Sequence, residues 1–366
     1  MRKKNILFVI DSLGIGGAEK VILTLSEEFI SKSYRVDIIS CEDKIEFEIP
    51  MGISTHTIGF KKSFLMYTKY RKKLYTKILE LEEKNSQKFE LILVNLQKST
   101  KLMQNYQHKN IYHIIHNTLS QSAFKKRTRL QIFFKRKKLQ KIYKDLNIIT
   151  VSLGVKDDLM HEIRVKPKSI KTIYNPIDKE KISQLAIEAN PIIDKKYIIH
   201  VGRFHSQKRH DILLKAYKES NIDAKLVLVG EGSEKDEIVK LINQLDIEKK
   251  VILTGFIQNP YSIIKNASFL VLSSDYEGFG NVLVEALMLN TPVISTDCKS
   301  GPNEILIDEL KDYLVPKNDI DTLALKIKTL YNSNSKIAID NKYTDKFDTT
   351  NIIKEYEDLI LRENNE

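Results

Sequence analysis

Phe269-Leu270-Val271-Leu272, followed by Asp275-Tyr276-Glu277-Gly278-Phe279-Gly280-Asn281-Val282-Leu283-Val284-Glu285-Ala286, is the stretch from which the fold is read. The first run is short and apolar throughout, as a strand covered on both faces requires. Gly278 and Gly280 free the backbone for a tight turn and a close approach. The apolar residues that follow recur at helical spacing. Strand, glycine turn and helix make half of a β-α-β unit, and the same order recurs in both directions along the chain. Upstream runs are Ile6–Ile10, Val36–Ile39, Leu91–Val94, Ile111–Ile115, Ile148–Val151, Tyr197–Val201, Leu226–Val229 and Val251–Leu253, with Pro292–Ser295 downstream. Helices are predicted over Ala18–Phe29, Lys208–Lys218, Glu234–Leu245, Val282–Leu289 and Ile352–Arg362. Repeated β-α-β order predicts an α/β fold with a doubly wound parallel sheet in each half.

At ~100–200 residues per domain, 366 residues suggest two domains. The turn Tyr174-Asn175-Pro176-Ile177-Asp178 and Pro191 place the linker at 173–192. The expected division is therefore 1–172, the linker, 193–345, and a segment 346–366 whose helix packs back across the domains. Ligands of doubly wound sheets bind at the carboxyl ends of the strands, so two facing domains are expected to share a cleft.

Composition narrows the function. Hydrophobic residues make up 42% and charged residues 29% of the chain, an ordinary globular balance. Cys41 and Cys298 are too few for a disulfide framework or a zinc site. No apolar run reaches the ~18–20 residues of a membrane span, and Asp11 ends the opening run too early for a signal peptide. A cytoplasmic setting is the expectation. The net charge of +11 hides an asymmetry: residues 1–175 hold 34 Lys and Arg against 17 Asp and Glu, the remainder 25 against 31. Two halves of opposite sign point to different tasks. The basic half suits a nucleic acid, an anionic membrane or a phosphate-bearing ligand.

The motifs follow strands. Glu277 is placed in the loop and Glu285 within the helix, with the backbone N–H groups near Phe279–Val282 turned toward an anion. Two carboxylates beside such a helix start suit a ligand carrying both hydroxyls and phosphate, which describes a nucleotide sugar. After Tyr197–Val201 stand Arg203 and Lys208, cations able to neutralise a leaving diphosphate. After the first strand, Gly14, Gly16 and Gly17 open a helix without the G-x-G-x-x-G spacing, which disfavours a dinucleotide.

With these residues in view, the sequence resembles the retaining glycosyltransferases of family 4, whose GT-B fold has two facing Rossmann-like domains. The resemblance rests on Gly16-Gly17-Ala18-Glu19, Asn175-Pro176, Gly202-Arg203…Lys208, Gly230-Glu231-Gly232, Thr254-Gly255-Phe256, Glu277…Glu285 and Thr291-Pro292-Val293-Ile294. Thr291 stands where the family usually has Gly. Ser12-Leu13-Gly14…Glu19 and Asp297-Cys298…Ser300-Gly301-Pro302-Asn303-Glu304-Ile305 look closest to bacterial enzymes of O-antigen, capsule and lipid-linked oligosaccharide synthesis.

The resemblance implies that Arg203 and Lys208 grip the donor diphosphate, and that Glu277 lies beside the transferred sugar. It further implies that the amides of Phe279, Gly280 and Asn281 meet the sugar and phosphate, with Val282 and Leu283 near the diphosphate. Glu285 would take the ribose hydroxyls, and Gly255, Phe256 and Ile257 the base, with Gly230 leaving room. Gly16 and Gly17 would close over the phosphate, and His116 would stand on the acceptor side. His113, three residues before it, is expected to pack in the sheet. The implied reaction moves a hexose or N-acetylhexosamine from a UDP-sugar with retention, with no cofactor, metal or covalent role for Glu277.

Two stretches carry the excess charge: Lys61-Lys62 through Arg71-Lys72-Lys73, and Lys125 through Lys144, which contains no acid. At ~100° per residue the second divides into two stripes. Ile132, Leu139, Ile142 and Tyr143 are expected to pack on the sheet. Leu130, Phe133 and Phe134, among Arg127, Lys137, Lys141 and Lys144, resemble an interfacial helix on an anionic leaflet. The expected partners are thus a nucleotide sugar, a lipid-diphosphate-linked glycan and the inner face of the plasma membrane, with the protein peripheral there. Nucleic-acid binding and GT-B epimerisation of a UDP-sugar are the alternatives. No RRM, helix-turn-helix or zinc signature supports the first.

Overall fold

The computed structural model describes residues 3–61, 67–190, 196–333 and 339–361. Residues 62–66 of the first basic stretch, Pro191 and Arg362 lie outside the described residues. By internal contacts the chain divides into Met1–Ile177 with Phe347–Glu366, and Asp178–Lys346.

The first unit holds β1 (Asn5–Ile10), β2 (Arg35–Ser40), β3 (Ile53–Thr57), β4 (Leu91–Asn95), β5 (Ile111–Ile115), β6 (Asn147–Thr150) and β7 (Ser169–Thr172). They form one sheet in the order β3-β2-β1-β4-β5-β6-β7, and all its pairs are parallel. The second unit holds β8 (Tyr197–Val201), β9 (Lys225–Val229), β10 (Val251–Gly255), β11 (Leu270–Leu272), β12 (Val293–Thr296) and β13 (Leu314–Val315). Their order is β10-β9-β8-β11-β12-β13, again parallel. In each sheet the chain winds outward from its first strand, then returns to the other side of it. The order reverses beside β1 and β4 in one unit, and beside β8 and β11 in the other. Such a switch point separates two neighbouring loops and opens a crevice at the strands' carboxyl ends.

Central strands are apolar because helices cover both faces. Every residue of β1 is buried, and Leu226, Val227 and Leu228 of β9 are wholly so. The expected strands all occur. Three more appear that apolar runs do not reveal: β3, β7 and β13, each at a sheet edge. Ile-Ser-Thr-His-Thr and Ser-Ile-Lys-Thr are half-exposed, so their sequences need no apolar continuity.

Two helix starts shift: the helix expected from Ile352 begins at Thr349, and the other shift bears on the site. The predicted Lys208–Lys218 is His210–Ser220, because Arg209 takes a left-handed conformation at φ 50 and ends the preceding loop. That shift leaves Lys208 in the loop. The helix Thr349–Leu361 counts with the first unit. There Tyr34 Oη donates to Glu357 Oε1 at 3.2 Å, and Lys171 Nζ lies 3.0 Å from Glu355 Oε2.

Candidate functional site

In the second unit the loop after β8, residues 202–209, and the loop after β11, residues 273–280, meet at the switch point. Lys208 Nζ donates to Glu277 Oε1 at 2.6 Å, and Ser274 Oγ donates to the same oxygen at 2.6 Å. The pair is largely out of water, with side-chain exposures of 18% for Lys208 and 9% for Glu277. Arg203 stands exposed on the first of these loops. A cation and a carboxylate in a half-dry crevice can engage a leaving phosphate and a sugar hydroxyl far more strongly than they would in water.

The loops are tied to each other through their backbones. Asp275 N donates to Gln207 O at 2.8 Å, Gln207 Nε2 to Tyr276 O at 2.6 Å, and Ser273 Oγ to Lys208 O at 2.8 Å. Arg209 pairs with Asp211 at 2.8 Å and with Asp275 at 2.9 Å, hydrogen bonds that hold its guanidinium charged. A third segment braces the Glu277 loop from behind. Ser300 Oγ donates to Glu277 O at 2.5 Å, and Thr296 Oγ1 to Ser274 O at 2.6 Å.

The helix Asn281–Met288 begins at once behind Glu277, with Gly280 left-handed at its N-cap. Having no side chain, Gly280 supplies no cap of its own. Phe279 and Leu283 are buried, Asn281 and Val282 half-buried, and Glu285 is buried within the helix. Gly230 follows β9, where a Cβ would lie 2.0 Å from Gly202 O, so only glycine allows the β8 and β9 loops to touch. At the end of β10, Gly255 accepts from Gly230 N at 2.9 Å. Phe256 beyond it is 42% exposed, and Ile257 is half-buried. The cation loop, the Glu277 loop and the Gly230 and Gly255 turns therefore all follow strands of one sheet.

His116, Gly16 and Gly17 belong to the first unit. His116 Nε2 lies 2.8 Å from Asn95 Oδ1, which joins the ends of β5 and β4. His113 is buried within β5, its Nδ1 3.3 Å from Thr100 Oγ1. Gly16 is the extended N-cap of the helix Gly17–Ser31, and its loop is tied to a neighbour by Leu13 N donating to Lys44 O at 2.9 Å. Asp11, which the sequence marks only as the end of β1, accepts from Ser99 N at 2.7 Å, Ser99 Oγ at 2.6 Å and Lys98 N at 3.2 Å. The start of the helix Gln97–Met103 is thus filled by the protein's own carboxylate. Asp319-Ile320-Asp321 has the Asp-x-Asp spacing of a metal-binding carboxylate pair. Here it is a helix start: Asp319 accepts from Thr322 N at 2.9 Å and Thr322 Oγ1 at 2.7 Å.

Burial also sets the protonation of four histidines. It lowers His113 to about 3, His116 to about 4, His200 to about 4 and His210 to about 2. All four are neutral in the folded protein at neutral pH, whereas the unfolded chain protonates them near ~6.5. As pH falls from ~6.5 toward ~4 the unfolded state holds more protons, so folding stability drops. Urea titrations should show a flat unfolding free energy above pH 7. Below pH 6 it should decline by up to about 1.4 kcal/mol per pH unit for each histidine involved. A stability that rose on acidification would exclude this origin.

Residues 15–181 match the family described as Glycosyltransferase Family 4, and residues 184–346 match Glycosyl transferases group 1. The chain is 31% identical over 330 residues to the N-acetylgalactosamine-N,N'-diacetylbacillosaminyl-diphospho-undecaprenol 4-alpha-N-acetylgalactosaminyltransferase of Campylobacter jejuni, covering 87% of this chain and 88% of that one. It is 31% identical over 180 residues to the lipopolysaccharide 1,6-galactosyltransferase of Salmonella typhimurium, covering 47% and 48%. The fold resembles the crystal structure of Anabaena HepE in complex with UDP-glucose, with a TM-score of 0.77 and 19% identity, over 97% of this chain and 98% of that one.

Proposed function

The chain belongs to glycosyltransferase family 4 and has the GT-B fold, and from that premise we propose that it transfers a hexose or N-acetylhexosamine from a UDP-sugar, with retention and without metal, to a lipid-linked glycan of a bacterial surface polysaccharide. The observation that carries this reading is the Lys208–Glu277 pair, 2.6 Å apart at the switch point beside the Gly280 helix start. Lys208 compensates Glu277 while the site is empty. An arriving diphosphate competes for Lys208, with Arg203 exposed on the same loop, and leaves Glu277 to accept from sugar hydroxyls. Charge released on the leaving phosphate is then met by protein cations, the task a metal performs elsewhere. The lipid-linked acceptor and the UDP donor are suggested by what the Campylobacter and Anabaena proteins are said to handle.

Saturation-transfer NMR across UDP-Gal, UDP-GalNAc, UDP-Glc, UDP-GlcNAc and GDP-Man should show a UDP-sugar bound in the presence of EDTA. Binding that requires a divalent ion would overturn the metal-free reading. Epimerised sugar appearing without acceptor would replace transfer by epimerisation.

The same reading places the protein in the cytoplasm, at the inner face of the plasma membrane. Among the described residues no helix is long and apolar enough to cross a membrane. On the helix Arg129–Tyr143, Leu139, Ile142 and Tyr143 are buried, while Leu130, Phe133 and Phe134 are 67%, 50% and 63% exposed. The two phenyl rings stand 5.6 Å apart, with Lys137 Nζ 5.8 Å from the Phe133 ring, and Arg127 and Lys141 are exposed. An apolar tip ringed by cations suits an anionic leaflet. Changing Phe133 and Phe134 to Ser with Lys137 and Lys141 to Glu should abolish co-sedimentation with anionic liposomes and leave UDP binding intact. Unchanged sedimentation would remove the docking role.

A further inference from the structure

One buried histidine of the second unit has no place in the reaction outlined above. His200, on β8, is wholly buried, and its Nδ1 lies 2.8 Å from Val271 O on β11. A carbonyl oxygen only accepts, so Nδ1 carries the hydrogen of this neutral ring and Nε2 carries a lone pair. The bond spans the two strands whose loops supply Lys208 and Glu277. It lies beside the backbone bond from Ile199 N to Phe269 O at 3.1 Å. Tautomer and ring orientation are thereby fixed together.

His200 Nε2 is buried and has no hydrogen-bond partner among the described residues. A shielded lone pair without a donor is costly, and its presence calls for a reason. The space beside it is the side-chain position of Gly202. A Cβ there would stand 3.2 Å from His200 Nε2, 3.3 Å from Lys208 Cε and 3.5 Å from Lys208 Cδ. The lysine chain thus passes the imidazole across a gap that a methyl group would crowd. Elsewhere the ring is walled by His210, edge-on with centroids 4.7 Å apart, and Phe204 stands 4.9 Å from His210 in turn. Of the three N–H groups of Lys208, one is used among the described residues, on Glu277 Oε1. An unspent donor and an unspent acceptor border one space.

While the site is empty, Glu277 holds the ammonium. We infer that His200 is a positioning residue for Lys208, its Nε2 accepting from the ammonium once a diphosphate draws the lysine away from Glu277. This rests on the donor reading proposed above. A neutral acceptor serves here where a second carboxylate would not. It orients the ammonium without cancelling the positive charge offered to the leaving phosphate. The bond to Val271 O ties that acceptor to the sheet, so the lysine is aimed from rigid strands as well as from its own loop.

Nitrogen NMR of protein carrying isotope-labelled histidine, with and without saturating UDP, is the first test. The free protein should show His200 with a protonated Nδ1 and an unbonded, pyridine-like Nε2. UDP should move that Nε2 resonance upfield, as a hydrogen-bond donor does, and Gly202→Ala should abolish the movement by placing a methyl group in the gap. UDP that binds without moving the resonance, or that moves only His210, would overturn the inference. No binding of UDP at all would instead bring down the donor reading, and this inference with it. Two variants divide the ring's nitrogens: His200→Asn can keep the bond to Val271 O but offers nothing at Nε2, and His200→Gln does the reverse. UMP, lacking the second phosphate, controls for damage elsewhere in the crevice. By calorimetry, the ratio of UDP to UMP affinity should fall at least tenfold in His200→Asn and less in His200→Gln, although His200→Gln should melt lower. Equal or reversed ratios in the two variants would assign His200 to the strand tie alone and overturn its positioning role.

Discussion

Lys208→Met should lower kcat for sugar transfer by ~10²–10³, about 3–4 kcal/mol of transition-state stabilisation, the loss typical of removing one preorganised donor from developing charge. The effect falls on kcat because negative charge on the departing phosphate grows as its bond to the sugar breaks. A rise in KM with unchanged kcat would mean that Lys208 only binds ground-state donor. The variant also has a structural cost. Glu277 has two side-chain donors on Oε1, Lys208 and Ser274. Removing the lysine leaves a buried carboxylate with a neutral hydroxyl, and breaking such a pair costs up to about 3–5 kcal/mol. Glu277→Gln should likewise impair transfer and leave the ammonium uncompensated. The double variant Lys208→Met/Glu277→Gln separates the two effects, because neither charge remains to be stranded. Its melting temperature should recover toward wild type while kcat stays low. If activity recovered together with stability, the pair would be a structural ion pair and its catalytic assignment would fall.

The two sides of that pair were both readable in the sequence, and their contact was not. Both follow apolar runs, and a doubly wound sheet requires loops at such places, so the positions of Lys208 and Glu277 were legible from periodicity. Their mutual contact was not, because Ser274 and the left-handed Arg209 that ends the cation loop give no periodic signal. The strands divide in the same way. β1, β8 and β11 are buried on both faces and announce themselves, whereas β3, β7 and β13 at the edges carry too few apolar residues. On the helix Arg129–Tyr143 the two apolar stripes were visible in the spacing, as Leu139 and Phe133 show. Local patterns disclose which face of an element is dry. The residue met across that face depends on the fold as a whole.

Gly301→Ala tests how far the Glu277 loop depends on the segment behind it. Gly301 has φ +86, and a Cβ there would lie 1.8 Å from Phe279 O. Neither the left-handed backbone nor the overlap can be relieved by turning a side chain, because the obstacle is a carbonyl oxygen of the loop itself. Phe279 must move, and Glu277 moves with it, since Ser300 next to Gly301 holds Glu277 O at 2.5 Å. Gly280→Ala is the matched comparison. It also has positive φ, at +95, but its nearest neighbour would be Leu283 Cδ1 at 3.5 Å, an ordinary contact. It should cost only the backbone term, about 1–2 kcal/mol. Gly301→Ala should cost more than about 3 kcal/mol of stability. At temperatures where it remains folded, kcat/KM should fall by ~10², since displacement of a catalytic group by about 1 Å has that effect. Ser300→Ala removes the hydrogen bond without the overlap, and its activity loss should be smaller than that of Gly301→Ala. Equal stability and activity in the two glycine variants would show that the Phe279 carbonyl yields freely, and the loop would then owe its geometry to Gln207 and Ser274 in front of it.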